Sequence, residues 1–262
     1  MKSVLSVFRF VLIDNLRSFW VLAYLLFMAL STYSLIYFTG SFSRAMVSVM
    51  NIVILLAPLV STMMTSMYYF NKTDFLYLLL AQPVKRTNAF IGMYLGIAIP
   101  LSLAVGLGVA LGILLSLSEV PDLTTPFILI VSGVLLSLVF SGLSLLISLS
   151  SRDKLRGIGL ALFVWLFMAV IYDGLLLMYF IVFSEYPIEE HAIVLSMFNP
   201  IDLSRIFVML HLDISALLGY SGAVFQKFFG TSKGVLISLM AIATWIVVPL
   251  IGVIYKAQKK DY

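Results

Sequence analysis

Cysteine is absent from this chain of 262 residues, which excludes a disulfide framework, a thiolate metal site and a cysteine nucleophile. Histidine is almost as scarce: His191 and His211 leave little for metal ligation or acid/base chemistry. Charge is thin as well. Charged residues make up 11% and hydrophobic ones 62% of the chain, against about 25% and about 45–50% in soluble domains, so water is not its main solvent. A phosphate-cradling P-loop is missing, because GTSKG at Gly230–Gly234 lacks the required spacing, and ATP hydrolysis by the chain itself is not expected. Neither an H-E-x-x-H helix nor a G-x-S-x-G elbow occurs. An enzyme or a directly bound cofactor therefore has no motif behind it.

What the chain has instead is apolar length. About 20 apolar residues cross the hydrocarbon core of a bilayer, and six such runs can be placed at 19–38, 46–70, 90–117, 126–150, 157–183 and 235–255. They predict one all-α, polytopic membrane domain over 1–262, with Tyr33, Tyr37, Tyr68 and Tyr255 near span ends as interfacial anchors in the lipid bilayer. Residues 1–17 set Lys2, Arg9 and Arg17 against Val4, Leu5, Val7, Phe8, Val11 and Leu12, the pattern of an amphipathic helix along the inner membrane surface. The run after it is too long for the core of a cleaved signal peptide. With both termini in the cytoplasm, 12 of the 16 basic residues are internal, leaving Arg44, Arg205, Lys227 and Lys233 external. The net charge of +4 is thus read as topology and not as a nucleic-acid surface.

Two interruptions carry the polar residues. Residues 71–89 form a cytoplasmic segment in which Thr73 reads as N-cap, Asp74 sits in the first turn, and Pro83 forbids a helix beyond Gln82, with Lys85 and Arg86 following. Residues 184–234 read as one external segment of helices that lie on the membrane or dip into it, since an extra crossing would carry His211 and Asp213 and move Lys256, Lys259 and Lys260 outside. Asn199 as N-cap, Pro200 at the first helical position and Asp202 in the first turn start one of those helices.

Inside the spans a few residues stand out. Gly92, Gly96, Pro100, Ala104, Gly108 and Gly112 recur every four residues, making a face where another backbone can approach; packing within one bundle and contact between subunits both fit it. The fourth span echoes it with Gly133, Ser137 and Ser141. Asp173, beside Tyr172, is an acid deep in the fifth span with no intramembrane cation in view: a substrate contact, a proton acceptor, or a bond to hydroxyls of a neighbouring helix. Asn51 is a second polar candidate for a substrate path or gate. Met63 and Met67 share a helix face and offer thioethers to copper(I), although methionine is also an ordinary filler of apolar interiors. Glu189, Glu190 and His191 read as a solvated acidic loop.

The order of these features, with LLLAQPVKR at Leu78–Arg86 after the second span, resembles the permease subunits of ABC-2 type transporters. The likeness covers the whole chain, though where many members carry Glu and Gly-Thr ahead of the leucines this chain has Lys72, Thr73 and Asp74. Within that family WLFMAVIYDGLLL at 165–177 and FNPIDLSRI at 198–206 are similar to permeases of nitrous oxide reductase maturation systems. The resemblance implies a homodimer in a bacterial inner membrane, a cytoplasmic ABC ATPase that binds ATP and magnesium, and a periplasmic copper-binding partner. It assigns the ATPase contact to Asp74, Phe75, Leu76, Gln82, Pro83, Lys85 and Arg86, and the external gate to Asn199, Pro200, Asp202 and Arg205. An exporter of lipid, drug or peptide on the same fold stays open, and the third span is a candidate mover.

Overall fold

The computed structural model describes residues 2–81, 84–116, 120–183, 189–211 and 232–259, and no strand occurs among them. The helices are α1 (Lys2–Leu16), α2 (Phe19–Thr39), α3 (Phe42–Asn71), α4 (Thr73–Leu80), α5 (Arg86–Leu115) and α6 (Thr124–Ser150). Then come α7 (Lys154–Leu166), a π-helical turn (Phe167–Ile171), α8 (Tyr172–Val182), α9 (Glu189–Met197), α10 (Pro200–His211) and α11 (Ser232–Lys259). Six helices, counting Lys154–Val182 as one, are long and apolar enough to cross a membrane, so the protein is an all-α polytopic membrane protein. The expected spans are those found, each shifted by a few residues at its ends. Gln82, Pro83, Glu119 and Glu185 lie outside the described residues.

Local chemistry sets the joints between spans. Gly40 closes α2 at φ 64°, a left-handed conformation that glycine adopts without cost, and α3 begins two residues later as a tight hairpin. Asp153 caps α7, its carboxylate accepting the Arg156 N–H at 2.8 Å. At α4 the expectation for Thr73 is corrected. Lys72 holds the N-cap position, and the Thr73 hydroxyl donates back to the Phe70 carbonyl at 2.5 Å, so α4 follows α3 almost without a break.

The small-residue face of α5 is internal to one chain. A Cβ on Gly96 would sit 2.6 Å from Cβ of Val11, and one on Gly108 would sit 2.7 Å from the Leu25 carbonyl oxygen and from Cβ of Met28. Gly92 abuts Val4 and Val7, and Gly112 abuts Thr32. The lower half of α5 therefore seats α1 and the upper half seats α2. The echo on α6 packs likewise: Gly133 meets Val53 of α3, and Ser144 bonds to the Ser66 hydroxyl and donates to the Thr62 carbonyl, both at 2.7 Å. In the most apolar 18 residues of α5 and of α6, 67% are buried; in the fifth span the share is 11%. The third span is thus, with the fourth, the most enclosed of the six, and the fifth is the least enclosed.

Part of the segment between the fifth and sixth spans turns back into the bundle. Trp245, midway along α11, donates its indole N–H to the Met197 carbonyl at 3.1 Å. The Asn199 amide donates at 2.8 Å to the carbonyl of Met168, midway along the 29-residue fifth span. Leu203 packs with Ile242 of α11 and Leu135 of α6. The α9–α10 turn therefore reaches half the depth of the bundle, a re-entrant hairpin whose backbone is covered by protein as such backbone must be.

Candidate functional site

At the turn of that hairpin the chain assembles a partly buried ionic cluster. Asn199 accepts the Ile201 N–H through Oδ1 at 3.1 Å, which caps α10, while its amide reaches both the Met168 carbonyl and Asp202 Oδ2 (3.0 Å). Pro200 is the first helical residue, where its missing N–H costs nothing. One turn on, the Arg205 guanidinium donates to Asp173 Oδ2 at 2.5 Å and to Asp202 Oδ1 at 3.3 Å. The Tyr172 hydroxyl donates to the Leu195 carbonyl of α9 at 2.6 Å. Both arms of the hairpin are thus tied to the fifth span by residues adjacent in sequence.

The π-helical turn explains why that tie is possible. A π turn lets one residue bulge and disturbs the regular i→i+4 ladder, and here it ends at Ile171, directly before Tyr172 and Asp173. Met168 lies within it and offers its carbonyl to Asn199.

The charges of the cluster do not balance until a proton is counted. Burial, and then the hydrogen bond and charge of neighbouring Asp173, raise the Asp202 carboxyl to about 8 against the pull of Arg205 and Asn199. The protonated form of Asp202 is thereby favoured, and the Arg205 guanidinium lies between the two carboxyls. Asp173 Oδ1 is buried and accepts no hydrogen bond in the structure. Asp173 does have a cation partner, which the sequence reading denied it; Arg205 was placed in an external loop, and the loop folds inward. A guanidinium between two carboxyls repels metal ions, so this is an ionic latch. Among the described residues no three His, Cys, Asp or Glu side chains cluster for a metal. Met63 and Met67 are exposed on α3, as is Asn51, which joins neither the latch nor its neighbours.

A second site lies at the opposite, lysine-rich end. Phe75 of α4 stacks on Phe10 of α1 with ring centroids 4.7 Å apart. Lys72 pairs with Asp14 at 3.0 Å, and the Tyr68 hydroxyl donates to the same carboxylate at 3.0 Å. Lys154, at the start of α7, donates to Asn71 Oδ1 at 2.8 Å. Of the residues assigned to an ATPase contact, Leu76 is fully buried and Phe75 is half-buried against α1. Asp74, Lys85 and Arg86 are exposed, and so are Tyr77 and Leu78, which the assignment passed over.

No protein-family model matches the chain, and neither does any curated protein.

Proposed function

We propose that the chain is the membrane permease subunit of an ABC-2 type transporter, receiving the work of a separate ATP-hydrolysing subunit at α4 and delivering it to the α9–α10 hairpin. The observation that carries this reading is a physical connection between the two sites. Asn71, next to α4, is bonded to Lys154 at the foot of the fifth span, and Asp173 of the same span is bonded to Arg205 of the hairpin. The span between them is the least packed of the six, so tilting it disturbs little else. In this reading both termini are cytoplasmic in a bacterial inner membrane, ATP and magnesium reside in the partner subunit, and a second copy covers the bare fifth span.

Two consequences of hairpin movement belong to different classes. Either a substrate passes along the dimer interface, for which the exposed Asn51 supplies a polar contact, or nothing crosses and the hairpin remodels a periplasmic protein. The bonding of Asp173 to the hairpin, away from any open path, favours the second. A role in copper-site maturation of nitrous oxide reductase rests on the resemblance of residues 165–177 and 198–206; an exporter of lipid, drug or peptide is the alternative.

Co-purification tests the input. Replacing exposed Leu78 and Tyr77 by Asp is expected to abolish binding of a co-expressed ABC ATPase subunit while leaving the chain folded. Unchanged binding would sink the reading. ATP-driven flux into sealed vesicles separates transport from remodelling: absent flux with intact ATPase coupling defeats transport.

A further inference from the structure

At the lysine-rich end, between the ends of α6 and α11, a cavity of about 480 Å³ is lined by Arg152, Lys256 and Lys259 together with Ser150, Ser151 and Tyr255. Among the described residues no carboxylate lines it. The adjacent Asp153 is turned to the cap of α7, and the two serine hydroxyls donate to the Leu146 and Ile147 carbonyls of their own helix. Lys259 donates to the Tyr255 hydroxyl and lies 4.3 Å from that ring's centroid, an arrangement that orders the ammonium at the rim without neutralising it. Three cations thus converge on a space with no counter-charge among the described residues.

The same face of α11 continues inward as an apolar track. Tyr255, Ile251, Val248 and Thr244 are all exposed at helical spacing, and the track ends in a second cavity of about 300 Å³ lined by Thr244, Trp245 and Val248 with Met197 and Phe198 of the hairpin. The indole N–H of Trp245 and the hydroxyl of Thr244 are bonded to backbone carbonyls, so this inner cavity offers apolar surface alone. From Lys256 to Thr244 is 12 residues, or about 18 Å along a helix. A charged cavity at the membrane boundary joined to an apolar one at mid-depth has the two-part chemistry of a phospholipid.

We infer that α11 and α6 hold an anionic phospholipid, its phosphate-bearing headgroup among Arg152, Lys256 and Lys259 and one acyl chain along Ile251 and Val248 to the groove beside Phe198. Basic pockets between spans bind such headgroups. The chain end then rests against the residue preceding Asn199, so the lipid braces the hairpin that carries the ionic latch. That the leaflet is the cytoplasmic one rests on the orientation proposed above; the binding itself does not.

The test uses the full-length chain purified in dodecyl maltoside and its melting temperature with added lipid. Dioleoyl phosphatidylglycerol is expected to raise it in a saturable way, while dioleoyl phosphatidylcholine and inorganic phosphate leave it unchanged. K256Q/K259Q is expected to weaken the apparent affinity for phosphatidylglycerol by about 30-fold. V248W, which fills the inner groove, is expected to abolish the response to the long-chain lipid and keep that to dihexanoyl phosphatidylglycerol. Should K256Q/K259Q not remain monodisperse, R152Q supplies the same readout with about a fivefold loss. Equal shifts with phosphatidylcholine, or a shift reproduced by phosphate alone, would overturn the inference. So would a folded K256Q/K259Q protein with an unchanged lipid response, in particular one that has lost its ATPase subunit, since the pocket would then be a protein contact.

Discussion

The seam between α5 and the α1–α2 pair and the junction between the fifth span and the hairpin are both helix contacts inside one bundle, yet opposite means hold them. The seam has almost no polar bonding; it relies on glycines at 92, 96, 108 and 112 that let backbones approach until a methyl group would not fit. In lipid, where burial of apolar surface against apolar tails gains little, such close van der Waals contact is what fixes one helix on another. On the fifth-span side the junction has few buried side chains, none at all in α8, and although α10 buries Ile201, Leu203 and Val208 in the bundle, the tie to the span is made by Asn199, Arg205, Asp173 and Tyr172. Dispersion contacts are lost gradually and in number, whereas an ion pair is made or broken as a unit. The seam therefore suits a frame, and the junction suits a two-position switch.

The largest expected effect comes from breaking the frame. G108L forces a side chain into the Leu25 carbonyl, which cannot move without α2, and a loss of about 3 kcal/mol is expected, read as a large drop in melting temperature or failure to accumulate in the membrane. A glycine-to-leucine change at Gly174, where nothing lies within 4 Å of a built Cβ, is the control expected to cost far less. Breaking the switch comes next. R205L strands a carboxylate in the bundle; buried pairs broken this way cost about 3–5 kcal/mol, and because the partners here keep some exposure about 2 kcal/mol is expected. The sharper signature is selective. Limited proteolysis should open the hairpin in R205L while the α5 seam stays protected, and D173N/R205L should recover part of the loss. Uniform loosening of both regions would erase the distinction.

The two regions also differed in how much of them was legible. The frame was readable because its signals are local: apolar length gives the spans, and glycine every fourth residue announces a close neighbour. What the spacing cannot say is whose backbone approaches, and the answer, α1 below and α2 above, depends on tertiary placement. The switch was readable only in parts. Asp173 stood out as an acid in an apolar run and Asn199-Pro200 as a helix start, but counting Arg205 among external charges assumed that a segment outside the spans stays in water. The π turn gave no signal, since it inserts its shift within Phe167–Ile171 without a proline or glycine to mark it. At α4 the two-turn length was legible from Asp74 and Pro83, whereas the face was not. Three leucines in a row say nothing about which points inward, and Leu76 turned out to be buried while Leu78 is exposed.

A smaller effect separates the two regions by pH. The folded-state value of Asp202 lies near 8, above the ordinary carboxyl value of about 4, so its proton stabilises the latch fully below about pH 4 and that contribution is lost as pH rises through 8. The groups facing it are Asp173, Arg205, Asn199 and, through its charge, Tyr172. Melting curves of the wild type are expected to fall between about pH 6 and 8 by at most about 1.4 kcal/mol per pH unit and to level off above that, and D202N, permanently neutral, is expected to lack this fall. The frame has no titrating contact of this kind, so G108L should shift the whole curve down without changing its slope.

The smallest expected change in stability tests the link between the ends. K154A removes one exposed hydrogen bond, from Nζ to Asn71 Oδ1, and surface contacts of this sort contribute about 0.5 kcal/mol or less. Melting temperature should hardly move. If the fifth span transmits motion from α4 to the hairpin, however, that bond is where the span is attached at its foot, and its loss should leave ATPase binding intact while uncoupling hydrolysis from hairpin protection against protease. A stability effect and a coupling effect of equal, negligible size would leave α4 and the latch as two unconnected features. A normal melt with lost coupling would mean that a single exposed bond holds one end of the lever whose other end is the Asp173–Arg205 pair.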